Sequence, residues 1–154
     1  LRDELPELHD NNVRINAIGR IDGLSRTVRT ALRAALRRTA KNTGLVLNLA
    51  LNYGGRSELV DGVRQLAERV RSGELDPANI DEEMISSVLY TADLPDPDLL
   101  IRSSGEFRLS NFLTWQSAYT EFWFTSIYWP DFRRQHLYEA IRAYQQRHRR
   151  FGGA

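Results

Sequence analysis

Asp96-Pro97-Asp98-Leu99-Leu100-Ile101-Arg102-Ser103-Ser104-Gly105-Glu106-Phe107-Arg108-Leu109-Ser110-Asn111-Phe112 sets the reading of everything around it. A proline-bounded turn leads into the apolar run Leu99-Leu100-Ile101, which predicts a short buried parallel strand ending on Arg102. A polar loop with Glu106 and Arg108 follows, and Ser110 stands where a new helix is expected to begin. Arg102, Arg108 and that helix start fall within nine residues, at the carboxyl end of a strand. In open α/β sheets this is the edge where ligands bind. Free N–H groups at a helix start, flanked by guanidinium forks, suit a phosphate or diphosphate. Glu106, between the arginines, can balance their charge.

Downstream, Phe112, Trp115, Gln116 and Tyr119 predict a short helix, and residues 122–125 a fourth strand. Glu121 lies between the two, where a carboxylate serves as a cap partner or a metal ligand. Trp129-Pro130-Asp131-Phe132 is a turn with Asp131 as a candidate cap. Leu137, Ala140, Ile141 and Tyr144 mark the inner face of a last long helix.

Upstream, Leu1, Leu5 and Leu8 recur at near-helical spacing, with Pro6 tolerated only in a first turn. Val13, Ile15, Ala17 and Ile18 predict a strand, and Asp22 or Ser25 caps the helix after it. Leu24, Val28, Ala31, Leu32, Ala35 and Leu36 form that helix's apolar stripe, with arginines on a solvated face. Asn42-Thr43-Gly44 is read as its C-cap. Residues 45–51 form an apolar run broken only by Asn48, expected in the centre of a sheet covered on both faces. A turn at 52–56 leads to an amphipathic helix with Leu59, Val60, Val63, Leu66, Ala67 and Val70 on one side, closed by Gly73. Asp81, Glu82 and Glu83 give the next short helix an acidic start. Strands and helices alternate, so the expected fold is α/β, a mostly parallel central sheet covered by helices.

Composition narrows function. The 154 residues are 42% apolar and 27% charged with a net charge of +1, which gives no basis for a nucleic-acid partner. Cysteine is absent, removing thiol chemistry and cysteine metal sites. No apolar run approaches the roughly 20 residues of a membrane span. His9, His136 and His148 share no metal-ligand spacing and are expected at solvated helix positions. G-x-S-x-G and G-x-G-x-x-G are both missing, against a serine hydrolase or a dinucleotide enzyme. Asp96 and Asp98 form an acidic pair of the kind that binds Mg²⁺ through a diphosphate, but they precede their strand, at its amino end, and are assigned to a turn. The chain opens at Leu1 in what reads as mid-helix, so it is expected to be part of a longer protein.

N-Y-G-G-R at 52–56, P-D-P-D-L-L-I-R at 95–102 and G-E-F-R-L-S-N-F-L-T-W-Q at 105–116 stand in sequence with A-Y-T-E-F-W-F-T at 118–125, W-P-D-F at 129–132 and R-R-F-G-G at 149–153. In order and spacing the chain resembles the cis-prenyltransferases, the undecaprenyl diphosphate synthase family of bacteria. The resemblance implies Mg²⁺-dependent addition of isopentenyl diphosphate to an allylic diphosphate such as farnesyl diphosphate, making a polyprenyl diphosphate for the cell-wall lipid carrier. It implies a cytoplasmic homodimer, with peripheral membrane association through the lipid product. Arg102, Arg108 and Ser110 match residues that hold isopentenyl diphosphate, and Glu121 matches a carboxylate associated with the metal. Arg150 and Gly152 match the R-x-G element that reaches the diphosphate across the dimer interface. Leu45 matches a position at the far end of the product tunnel.

Two positions depart from the family pattern. Phe107 stands where histidine or glutamine is common, and Ser103-Ser104 where threonine with glycine or serine is common. M-D-G-N-x-R, the motif whose aspartate binds metal and starter diphosphate, does not occur in these residues. Residues 1–154 are therefore expected to be one domain lacking the family's first strand and lid loop. No catalytic residue is assigned within it, and alone it is expected to be inactive. The alternative is a non-catalytic partner subunit of a heteromeric cis-prenyltransferase, which retention of Arg102, Arg108, Ser110 and Glu121 opposes.

Overall fold

Alternating apolar residues at 13–18 make strand β1, Arg14–Ile18, which pairs in parallel with β2, Val46–Ala50. Parallel neighbours need a crossover, and helix α2, Arg26–Thr39, supplies it. The structure is a computed structural model that describes residues 3–147. It divides into two units, Leu1–Asp93 and Leu94–Ala154, each built on one parallel strand pair.

In the first unit a six-residue helix α1, Leu5–Asp10, carries Pro6 in its first turn, where the missing N–H costs nothing. Of the two candidate caps for α2, Ser25 takes the role: its Oγ accepts the Val28 N–H at 3.4 Å. Asp22 instead forms an ion pair with Arg29 at 3.5 Å. Leu32 and Ala35 are buried and the arginines at 33, 37 and 38 are exposed, the solvated basic face expected. Thr39, fully buried, ties helix to strand. Its Oγ1 accepts the Ile15 N–H at 3.0 Å and donates to the Ala35 carbonyl at 3.0 Å.

Two expectations change here. Helix α2 ends with Ala40 as its C-cap, and Gly44 has no left-handed backbone. Gly44 serves close approach instead, since a Cβ there would lie 2.6 Å from the Asn12 carbonyl oxygen. Asn42 Nδ2 donates to the Val13 carbonyl at 2.7 Å, a polar tie rather than a cap. Among the described residues strand β2 is not covered on both faces: Val46 and Ala50 are exposed, and residues 47–49 are half-buried. Its only paired neighbour among the described residues is β1.

Asn52, at φ +48, turns the chain after β2, and Gly54 caps helix α3, Gly55–Arg71. Its end is a Schellman motif: Gly73 is left-handed, Gly73 N–H bonds to Val70, and Glu74 N–H to Arg69. The buried face is Gly55, Glu58, Gly62 and Leu66. Val60 and Val63, expected inside, are exposed. Glu58 is buried because it has partners there: it accepts from the Tyr53 hydroxyl at 2.5 Å and the Tyr90 N–H at 2.9 Å. Helix α4, Glu82–Ser86, is capped by Asp81, whose Oδ1 accepts Met84 N–H at 2.7 Å.

In the second unit, β3, Leu99–Arg102, pairs in parallel with β4, Glu121–Phe124, and helix α5, Arg134–Gln145, packs on β4. Ala140 is buried, while Leu137 and Ile141 keep more than a third of their surface exposed, so the inner face is narrower than the sequence pattern suggests. The N-cap of α5 is Arg133, not Asp131, which lies in a 3-10 turn. His136 is not simply solvated, since its Nδ1 accepts the Arg133 N–H at 2.9 Å.

Thr39→Val keeps the shape of the side chain but strands the Ile15 N–H inside the unit. It is expected to cost about 1–3 kcal/mol, read as a lower urea midpoint with an unchanged denaturant slope.

Candidate functional site

Strand β3 ends on Arg102, whose side chain is half-buried and makes no hydrogen bond or ion pair among the described residues. The loop after it is anchored by backbone. Thr125 N–H bonds to the Arg102 carbonyl at 2.9 Å, Ser104 N–H to Ile127 at 2.9 Å, and Gly105 N–H to Thr125 at 2.8 Å. Ser104 and Gly105 are both left-handed, at φ +69 and +68, and so reverse the chain sharply. Arg108 is paired with Glu106, as its place in the loop suggested. Phe107 packs on Phe124 with ring centroids 5.1 Å apart, an apolar contact where the resemblance leads one to expect a polar residue.

Ser110 is not a helix start. Ser110, Asn111 and Leu113 have φ of +52, +65 and +47, and residues 110–119 form linked turns. A right-handed helix cannot propagate through left-handed residues, so the array of free helical N–H groups expected beside the arginines does not exist. Left-handed backbone at Leu113, a bulky residue, is strained, and such strain clusters at functional loops.

Glu121 opens β4. Thr120 Oγ1 donates to the Pro97 carbonyl at 2.7 Å and Glu121 N–H to the Asp98 carbonyl at 3.0 Å. The turn at Asp96–Asp98 thus positions Glu121 through its backbone. In the parallel register Leu99 lies opposite Glu121 and Arg102 opposite Phe124. Three residues of strand, about 10 Å, therefore separate Glu121 from Arg102 along the ladder. The two arginines and Ser110 follow the carboxyl end, and Glu121 sits at the amino end. Glu121 instead meets Arg147, a residue that motif reading passed over: Nη1 donates to Oε2 at 2.5 Å, and Nη2 to the Phe122 carbonyl at 2.8 Å. The signal available in the sequence was only an unassigned arginine just before R-R-F-G-G. Arg150 and Gly152 lie outside the described residues.

Glu121 is the carboxylate that the resemblance associates with a metal. Among the described residues no three His, Asp or Glu side chains gather to hold an ion. Glu121 offers one oxygen, Oε1, on which no donor sits among the described residues. Mg²⁺ is commonly held by one or two carboxylates with substrate phosphates supplying the rest. The residues fit that arrangement and not an all-protein cage.

In the first unit Leu45, assigned to the product tunnel, is exposed just before β2. It does not line the apolar cavity of about 340 Å³ between α3 and the 77–85 segment, whose walls include Val63, Leu66, Val70, Ile80 and Ile85. Just past the carboxyl end of β1, Arg20 holds Asp61 with two hydrogen bonds of 2.9 Å, and the Tyr90 hydroxyl also donates to Asp61. The Arg20 and Tyr90 hydrogen bonds hold the Asp61 carboxyl at about 2, below its usual 3.8. Burial, then the Asp61 contact, pushes the Tyr90 phenol up. The Asp61 carboxylate is thus already partnered.

The family model described as "Putative undecaprenyl diphosphate synthase" matches residues 1–152. The chain belongs to this prenyltransferase family. It is 57% identical over 153 residues to the isoprenyl transferase of Heliobacterium mobile, covering 99% of this chain and 59% of that protein. The isoprenyl transferase of Clostridium tetani (strain Massachusetts / E88) is 51% identical, with 99% and 60% covered. The chain thus spans about 60% of the length of these curated relatives. Lavandulyl diphosphate synthase from Lavandula x intermedia, solved with dimethylallyl diphosphate, superposes with a TM-score of 0.96 at 38% identity, covering 99% of this chain and 66% of that one. A probable undecaprenyl diphosphate synthase from Campylobacter jejuni gives a TM-score of 0.83 at 33% identity, covering 99% and 69%. These likenesses bear out the α/β prenyltransferase fold expected from the motifs.

Two measurements follow from this geometry. Thr120→Val removes the tie to Pro97 and is expected to lower stability by about 1 kcal/mol, seen as a lower urea midpoint. Asp61 titrates lower in the folded state than unfolded, so its stabilisation is complete above about pH 4 and is lost as pH falls towards 2. Asp61→Asn should flatten the acid limb of a stability–pH curve over that window.

Proposed function

We propose that the whole protein containing this chain is a cis-prenyltransferase that condenses isopentenyl diphosphate with an allylic diphosphate such as farnesyl diphosphate, extending a polyprenyl diphosphate used as cell-wall lipid carrier. The observation that carries this reading is Arg102: a half-buried guanidinium without a partner among the described residues, at the carboxyl end of a parallel strand. A bidentate fork at that edge is suited to a phosphate. Family membership narrows the phosphate to an isoprenyl diphosphate, and the dimethylallyl diphosphate bound to the plant relative agrees with that class.

In this reading Arg102 grips the isopentenyl diphosphate. Arg108 exchanges its Glu106 partner for a phosphate oxygen, and the Ser110 hydroxyl completes the pocket. Glu121 serves the metal side. Bound Mg²⁺ would offset the charge that grows on the departing diphosphate. Arg150 and Gly152 reach a diphosphate across the interface of a homodimer, and Leu45 lines the far end of the product tunnel. The 154 residues act as a single prenyltransferase domain, as the match over 1–152 supports. No helix among the described residues is long and apolar enough to cross a membrane. We place the protein in the cytoplasm, meeting the membrane's inner face through its lipid product. No catalytic residue is assigned to this chain, and without the M-D-G-N-x-R motif the 154 residues alone are inactive in this reading.

The whole protein should incorporate labelled isopentenyl diphosphate onto farnesyl diphosphate, and chelation of Mg²⁺ should abolish it. The 154-residue chain should incorporate none. Arg102→Ala and Arg108→Ala should each raise the KM for isopentenyl diphosphate or lower kcat by at least tenfold, about 1.4 kcal/mol of binding or transition-state stabilisation. Normal kinetics in both variants would remove the site assignment.

A further inference from the structure

Arg147 follows α5 on a fixed turn: its N–H bonds to the Tyr144 carbonyl at 3.0 Å, and the Gln146 N–H to Arg142 at 3.2 Å. From there its guanidinium forks onto the first two residues of β4, the Glu121 carboxylate and the Phe122 carbonyl. Both charged side chains are about one-third exposed, at 36% and 28%, so the pair is partly withdrawn from water while remaining reachable from it. Of the carboxylate the fork uses Oε2, and among the described residues no donor sits on Oε1.

We propose that Arg147 is the built-in counter-ion of Glu121, holding that carboxylate until a divalent cation arrives together with a diphosphate. This rests on the reading of Glu121 as the metal-side carboxylate. A cation approaching Oε1 alone meets the fixed positive charge of Arg147 beside it. Repulsion between like charges in a half-buried site is less screened than in bulk water. A cation that brings a diphosphate presents phosphate oxygens with the spacing a guanidinium fork accepts. Arg147 then exchanges a carboxylate oxygen for a phosphate oxygen, and Glu121 turns to the metal. No covalent bond changes. Arg147 is thus a positioning residue that makes metal entry depend on the diphosphate, and it stands three residues before Arg150.

The test measures Mn²⁺ binding to the whole protein by electron paramagnetic resonance, with and without inorganic pyrophosphate. Glu121→Gln defines the part of the binding that runs through Glu121. Arg147→Gln, close in shape but neutral, should tighten that part for Mn²⁺ alone by about tenfold. Pyrophosphate should tighten native Mn²⁺ binding at least tenfold and the Arg147→Gln variant less than threefold. Arg147→Lys, which keeps the charge, should bring binding of Mn²⁺ alone back to within threefold of native. If Arg147→Gln does not fold by circular dichroism, Arg147→Ala takes its place. Less than threefold tightening of Mn²⁺ alone overturns the proposal, as does a lysine variant that behaves like the neutral one. If Glu121→Gln loses no Mn²⁺ in either condition, the metal-side reading of Glu121 falls with it. If Glu121→Gln loses Mn²⁺ and the Arg147 variants change nothing, only the counter-ion falls.

Discussion

The parallel register of β3 and β4 fixes where the charged residues of the second unit lie. Parallel strands expose all their carboxyl ends on one edge and all their amino ends on the other. With Leu99 opposite Glu121 and Arg102 opposite Phe124, the two charged residues are sent to opposite edges. Each edge then finds its own order. The carboxyl edge carries Arg102 and a loop pinned by backbone hydrogen bonds from Ser104 and Gly105. The amino edge carries Glu121, held from one side by the Asp98 carbonyl and from the other by Arg147.

Electrostatics divides the polar groups by whether they are already satisfied. Glu58 is buried yet receives two hydrogen bonds, and Asp61 receives three, from Arg20 and Tyr90. For Glu58 that partnering is essential, because breaking it would leave a buried charge unpaired, whereas Asp61 and Arg20 stay partly in water. Arg102 is the contrast, a partly buried cation that draws on no described side chain. Arg108 and Glu121 lie between these extremes, each with one charged partner, Glu106 and Arg147 respectively.

The turn at Asp96–Asp98 was legible as structure rather than metal site, and its carbonyls indeed do the work by anchoring residues 120 and 121. The balancing of Arg108 by Glu106 was legible because the two are neighbours in a short loop. The helix expected at 112–119 was not found, since apolar residues at helical spacing say nothing about the left-handed backbone at 110, 111 and 113. Arg147 was passed over because its partner lies 26 residues away.

Local pattern settled the four strands and most of the helices, because hydrophobic period and capping chemistry act within a few residues, but not the turns at 110–119. It also carried the family, since the six motif stretches are contiguous runs. Tertiary structure alone decided that α3 buries Glu58, because the carboxylate is satisfied there only when the Tyr53 hydroxyl and the Tyr90 N–H come to meet it. It decided that Glu121 faces Arg147 and not Arg102. Strand register and helix packing set that pairing, and both depend on contacts between residues far apart in the chain.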